Sequence, residues 1–329
     1  MAVRIGVNPL LWTNDDLPTL GADTPLEVCL GDSREAGFAG IELGNKFPRQ
    51  ADALGRVLAA FELQLISGWY SSLLLRRSVA EEIDALQDHL RLLKSLGSKV
   101  IVFCDTTDAI HGSRNMPLSL RPTLHHGEWT EFGRKLTELG DSCLDQDIRI
   151  AYHHHMGTIV QSPKEIDRLM NNTGESVGLL LDTGHLAYAG GDALALLAAH
   201  GHRISHVHCK NVRANVLKDA RNRDLSFLDA VMNGVFTVPG DAEGCIDFGA
   251  ALQHLKSVGY DGWLVVEAEQ DPLTAPSKRF AALAAAHMHE LCTELAIDVL
   301  NRQPGRDITD GKNQEPGAPG DASQSRGEL

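Results

Sequence analysis

The chain has no surplus of positive charge. Of its 329 residues, 30 are Lys or Arg and 44 are Asp or Glu, giving a formal net charge of −14. Phosphate contacts supply most non-specific affinity for nucleic acid, so this balance argues against a nucleic-acid partner. The sequence also lacks any run of 18 or more apolar residues, which argues against a membrane partner. Its first residues, Met1 to Trp12, carry Arg4 and Asn8 inside an apolar stretch and have no small-residue cleavage site. They read as a first strand and not as a signal peptide. The six cysteines are scattered and none forms a CxxC pair. That spacing fits reduced thiols in a cytoplasm better than a disulfide framework or a zinc knuckle. Neither GxGxxG after the first strand nor GxxxxGK[ST] anywhere is present, so the common nucleotide-binding α/β folds lose support.

What is present is a regular alternation. Short apolar runs at Val3–Asn8, Gly40–Leu43, Gln64–Trp69, Lys99–Cys104, Arg149–His153, Val177–Asp182, Ile204–His208 and Gly262–Glu267 read as strands. Helix-period stretches such as Ala80–Leu96, Glu128–Gln146 and Phe280–Leu295 lie between them. Eight strands each followed by helical pattern predict a single-domain α/β fold, a closed (β/α)8 TIM barrel over 1–298. Residues 299–329 have almost nothing apolar and read as a disordered tail. Two connections, 106–126 and 209–247, are long and follow strands 4 and 7, on the face where such barrels carry their chemistry.

Four strand ends share a pattern. The fifth finishes in His153, His154 and His155; with a period of two, His153 and His155 share one face. The sixth finishes in Asp182 with His185 three residues on, the seventh in His206 and His208, the eighth in Glu267 and Glu269. In a barrel these ends converge, and a mixed imidazole–carboxylate set suits Mn²⁺, Fe²⁺, Co²⁺ or Zn²⁺ better than calcium. Taken singly, each residue has a plainer reading: a hydrogen-bonded structural histidine, or Asp182 as a helix cap. Asn8 and Glu42 point to the same rim, where they bind polar substrate groups or are ordinary rim residues. Trp69 floors a pocket or belongs to the core. Lys210 and Arg213 bind a substrate oxygen or are solvated loop charges.

The segments NPLLWTNDD (8–16), GIELG (40–44), AYHHHMGT (151–158), LDTGH (181–185), ISHVH (204–208), FTVPGD (236–241) and VVEAEQDP (265–272) resemble the xylose-isomerase-like TIM-barrel superfamily, and within it the inosose dehydratases. Carried over residue by residue, the resemblance implies metal ligands at Asp182, His208 and Glu267. The superfamily's first ligand, commonly a Glu, falls on His153. The expected cofactor is a divalent metal, Mn²⁺ or Co²⁺. The expected substrate is a small cyclic polyol ketone, 2-keto-myo-inositol, which loses water through an enediolate. Proton transfer falls to His153, His155 or His185, with Glu42 or Glu269 as partners, and the order stays open. Asn8, Trp69, Lys210 and Arg213 are the expected substrate-binding residues, and homo-oligomerisation is left open. Two departures from the family pattern stand out: Asn211 where Asp is usual, and Ala242-Glu243 inserted after Asp241. A sugar epimerase or isomerase, an endonuclease of abasic DNA and a non-catalytic polyol binder are the competing readings.

Overall fold

A computed structural model of the chain describes residues 1–300. All eight strands are there: β1 (Ala2–Val7), β2 (Gly40–Leu43), β3 (Gln64–Ser72), β4 (Val100–Asp105), β5 (Arg149–His153), β6 (Val177–Asp182), β7 (Ile204–Cys209) and β8 (Trp263–Val266). Each pairs in parallel with the next, and β8 returns to β1 through Arg4↔Trp263 to Val7↔Val266, so the sheet closes into a barrel. Parallel strands covered by helices are buried on both faces, and for that reason they are short apolar runs.

The helices form where sequence signals agree. Ser78 and Glu81 make a capping box for the helix Val79–Ser95, and Ser162 and Glu165 make another, with Pro163 at the first turn, for Pro163–Asn172. Each sends an apolar face (Leu86, Leu90 and Leu93; Ile166 and Leu169) onto the barrel. A closing helix, Ser277–Glu294, leads to a two-residue strand at Asp298–Val299 that pairs with Ala2–Val3. Val299 and the Leu300 N–H, which donates to the Val3 carbonyl at 2.8 Å, therefore belong to the barrel and not to the expected tail. The remainder of that tail, 301–329, lies outside the described residues. Among the described residues, no helix is long and apolar enough to cross a membrane.

The two long connections differ. Residues 106–126 are irregular apart from one turn at Leu118–Leu120. Residues 209–247, read from sequence as a loop, begin with the last residue of β7 and contain helices Ala214–Asn222 and Phe227–Met232 and a two-residue antiparallel ribbon, Asn211–Val212 with Phe236–Thr237. The two brace each other: Arg114 donates to Asp229 at 2.6 Å, and the Ser119 N–H donates to Asp224 at 3.0 Å.

Candidate active site and metal centre

The strand ends converge as expected. His153 on β5, Asp182 on β6, His208 on β7 and Glu267 just after β8 bring one potential ligand atom each to within 4.8 Å of one another, and all four side chains are buried. The arrangement is built from local rules. His153 Nδ1 lies 2.8 Å from the His154 carbonyl, so it carries the hydrogen and leaves the Nε2 lone pair facing Asp182 Oδ2 at 3.6 Å. Asp182 does two jobs: Oδ1 caps the helix Thr183–Tyr188 by accepting the His185 N–H at 2.7 Å, while Oδ2 makes no hydrogen bond and faces the cluster. The cap reading holds for Oδ1, and Oδ2 is placed where the ligand reading needs it.

His208 is oriented from behind. Its Nε2 lies 3.2 Å from Glu42 on β2, which turns Nδ1 toward Glu267 at 3.0 Å and Asp182 at 3.5 Å. Glu42 is also 2.8 Å from His206 Nε2 and accepts the Asn8 amide at 2.6 Å. Burial pushes the Glu42 carboxyl up, but the imidazoles of His208 and His206 overcome that and hold it below the usual carboxylate range. His208 is the reverse case: burial opposes its charge, yet Glu267 and Glu42 raise it well above an ordinary histidine. It therefore holds its proton beside the Lys210 ammonium, against the same Glu267 carboxylate. A ligating His208 must shed that proton, so acid competes with metal here. A borderline divalent ion fits this donor set, since Asp182 Oδ2 and His208 Nδ1 are buried, converge, and lack hydrogen bonds.

A second group, His155, His185 and Glu269, adjoins the first. The His155 and His185 rings are 4.0 Å apart, and His185 Nε2 is 3.6 Å from Glu269 Oε1. His155 Nδ1 is 2.8 Å from the Met156 carbonyl, which leaves its Nε2 as an acceptor, while His185 Nδ1 accepts the Met156 N–H at 3.3 Å. Burial lowers both imidazoles, helped at His155 by His185 and at His185 by the Lys210 ammonium, so both are neutral at pH 7.

The recess above these groups opens to solvent. Its lining includes Asn8, Glu42, Trp69, His153, His155, His208, Glu267 and Glu269, all expected from the sequence. Trp69 does both, lining the pocket and packing on the buried cluster of Val102, Ala151 and Leu180: its indole stands edge-on to His153 and His155 at 5.5 and 5.6 Å.

Two expected substrate-binding residues do not reach the recess. Lys210 is fully buried and its ammonium meets Glu267 at 2.6 Å, Glu269 at 2.8 Å and Asp182 at 3.3 Å, so its charge is spent on the site's own carboxylates. Arg213 turns away: it pairs with Asp241 and Glu243, each at 2.8 Å, and donates to the Gly234 and Phe236 carbonyls. The inserted Glu243 thus has a structural partner. Asn211, where Asp is usual, donates its amide to the Val238 carbonyl at 3.4 Å and accepts the Ile246 N–H at 3.0 Å, holding the same turn. The path of Lys210 explains the glycine of the Asp-Thr-Gly-His run, because a Cβ at Gly184 would lie 2.4 Å from Lys210 Cγ.

Sequence reasoning missed Asp15, Asp16 and Val102 in the lining, and His111 behind it. Asp15 and Asp16 sit in the quoted run after β1, but irregular backbone has no period to say where they point.

A sequence profile described as xylose isomerase-like TIM barrel matches residues 30–313. The chain belongs to the xylose isomerase-like TIM-barrel family. Among similar sequences of this family, the rhizopine catabolism protein MocC of Rhizobium meliloti is 52% identical over 94% of each chain. The inosose dehydratases of Geobacillus thermodenitrificans and Clostridium tetani are 42% and 40% identical, over 88% of this chain and 97% of theirs. That likeness to curated dehydratases along nearly their full length makes this family member a dehydratase, a carbon–oxygen lyase. Solved structures share the fold at low identity. An IOLI protein with a bound zinc atom has a TM-score of 0.63 at 17% identity, covering 89% of this chain and 99% of that one. An L-ribulose 3-epimerase has a TM-score of 0.63 at 15% identity, covering 89% and 96%.

Proposed function

We propose that this dehydratase removes water from 2-keto-myo-inositol to give a trihydroxycyclohexane-1,2-dione in myo-inositol catabolism, with a divalent metal, Mn²⁺ or Co²⁺, held by His153, Asp182, His208 and Glu267. One observation carries the reading: His153, His208 and Glu267 of the four-residue ligand group line the same recess as His155 and Glu269 of the second group, with Asp182 and His185 buried within 4.8 Å of their respective partners. The chemistry such an ion supplies is Lewis-acid stabilisation of the charge that develops on the ketone oxygen.

The chain's own residues do the rest. The Trp69 indole, with Leu10, Leu43 and Val102, offers an apolar wall to the C–H face of a polyol ring. His155 Nε2, kept neutral by burial, takes the α-proton. The resulting imidazolium is a buried cation with His185 at ring contact, an arrangement that favours passing the proton on to the departing β-hydroxyl, which leaves as water. The Glu269 carboxylate, grouped with both imidazoles, offsets the new positive charge, and Lys210 keeps Glu269 in place by an ion pair. Glu42 acts through His208, whose Nε2 it holds, and Asn8 secures Glu42 in turn.

The test is an ultraviolet turnover assay on 2-keto-myo-inositol with protein stripped by EDTA and resupplied separately with Mn²⁺, Co²⁺, Mg²⁺ and Zn²⁺. Metal-dependent growth of enol absorbance is the expected result. Absence of absorbance with every metal would remove this substrate and favour an epimerase. The higher identity of the relative named for rhizopine catabolism favours a second reading, in which the substrate belongs to rhizopine breakdown. Turnover of rhizopine, and not of the inosose, would select it.

A further inference from the structure

The mouth of the recess holds two carboxylates that the chemistry above leaves unused. Asp15 and Asp16, on the connection after β1, both line it. Among the described residues, neither is ion-paired with a lysine or an arginine. Asp16 Oδ1 faces His111 Nε2 at 3.7 Å, too far for a hydrogen bond. Asp15 accepts the Asn45 N–H at 3.4 Å, while the nearby Arg49 donates to the Gly44 carbonyl at 3.0 Å. Burial raises both carboxyls, against the Asn45 hydrogen bond at Asp15 and His111 at Asp16.

The lining contains five carboxylates, Asp15, Asp16, Glu42, Glu267 and Glu269, and no lysine or arginine. Three of the five are matched from behind: Glu42 by His206 and His208, Glu267 and Glu269 by Lys210. The unmatched pair, Asp15 and Asp16, is exposed where the other three are buried, which puts it on the solvent side of the lining. His111 is fixed by its own loop: the Ile110 N–H donates to the Gly157 carbonyl at 2.9 Å, and a Cβ on Gly157 (φ 80°) would lie 2.9 Å from the His111 nitrogen.

We propose that Asp15 and Asp16 determine specificity by accepting hydroxyl hydrogens from an uncharged cyclic polyol and repelling an anionic one, so that phosphorylated polyols are refused. This rests on the reading of the recess as a polyol-ketone site. A uniform barrel chemistry can thereby be restricted to neutral substrates by two residues outside the ligand set.

The experiment is calorimetric binding of myo-inositol and of myo-inositol 1-phosphate to Mn²⁺-loaded protein, comparing wild type with Asp16→Asn and with the Asp15→Asn/Asp16→Asn double variant. Each carboxylate is expected to weaken the phosphate relative to the neutral ring by about tenfold, the size of a single charge–charge repulsion a few ångströms away in a half-solvated site. The double variant should therefore shift the ratio of the two dissociation constants by about a hundredfold toward the phosphate. In wild type the ratio should also move toward the phosphate as NaCl rises from about 0.02 to about 0.3 M, because the Debye length shrinks from roughly 20 to 6 Å, and in the double variant much less. A ratio unchanged by both substitutions, or equal loss of both ligands, would overturn the proposal while leaving the polyol reading intact. Wild type that binds neither ligand would overturn that reading and the proposal with it. Circular dichroism of each variant confirms folding, and Asp16→Asn alone serves if the double variant does not fold.

Discussion

The two ends of the barrel each bury a cation, and they treat it in opposite ways. At the amino-terminal end Arg203, 7% exposed, donates to the Val177 carbonyl at 3.0 Å, the Gly174 carbonyl at 2.6 Å and the Thr173 hydroxyl at 3.2 Å. Its hydrogen-bond partners are neutral dipoles, and the one carboxylate near it, Glu175 at 3.9 Å, is 82% exposed. At the carboxyl-terminal end Lys210, 0% exposed, is surrounded by Asp182, Glu267 and Glu269. Here negative charge exceeds what one ammonium balances, and Asp182 Oδ2 and His208 Nδ1 make no hydrogen bond. A satisfied network holds a fold, whereas one with surplus carboxylate charge suits the binding of a further cation. The same contrast separates stability from catalysis in barrels of this kind.

The contrast breaks most visibly at the ligands. Asp182→Ala, His208→Ala and Glu267→Ala are each expected to lower kcat/KM by about a thousandfold or more, with the circular dichroism spectrum retained. If all three turned over substrate at the wild-type rate, the metal-centre reading would be wrong. At the other end, Arg203→Met should cost about 2–4 kcal/mol in urea unfolding, since it strands the buried carbonyls it served, while kcat stays near wild type. Loss of kcat without loss of stability would erase the division.

A third prediction concerns acid. Burial pushes the imidazole of His154 down to about 3, where its Nε2 accepts the Asp182 N–H at 3.5 Å. The unfolded chain takes up this proton as pH falls through about 6.5, and the folded chain does so only near 3. His154 should therefore withdraw about 1.4 kcal/mol of stability per pH unit between those limits. Its replacement by Gln should flatten the acid limb of a urea-midpoint profile, and an unchanged slope would remove His154 as the cause. The smallest effect belongs to the inserted turn. Glu243, 73% exposed on its side of the Arg213 pair, should be replaceable by Ala within about 0.5 kcal/mol and without change in kcat.

The sequence was most readable where burial forces a pattern. Strands β2, β5 and β6 match their expected limits at both ends because their two faces are covered and their composition changes abruptly at each boundary. β3 runs three residues past Trp69 because Tyr70, Ser71 and Ser72 keep pairing with β4, and polar residues conceal that continuation. The candidate ligand cluster was readable because His153, Asp182, His208 and Glu267 interrupt apolar runs where a barrel points them inward. The helices inside 209–247 were not, since six- and nine-residue helices depend on what they pack against more than on their own propensity. Lys210 and Arg213 are three residues apart and end on opposite sides of the ribbon. Only the backbone path, with the room left by Gly184, decides that one enters the barrel and the other clasps a turn.

Closure of the ring has a consequence for synthesis. β1 leaves the ribosome first, yet its pairing with Trp263–Val266 needs a segment made more than two hundred residues later. Glu42 likewise meets His206 across 164 positions. At about 5–20 residues per second, the first strand waits about 10–50 s with one edge unpaired. During that interval the nascent chain is a sheet with a bare border, the form most open to pairing with a neighbouring chain. A ribosome that stalls before Trp263 would leave that border exposed and the candidate metal site without Glu267.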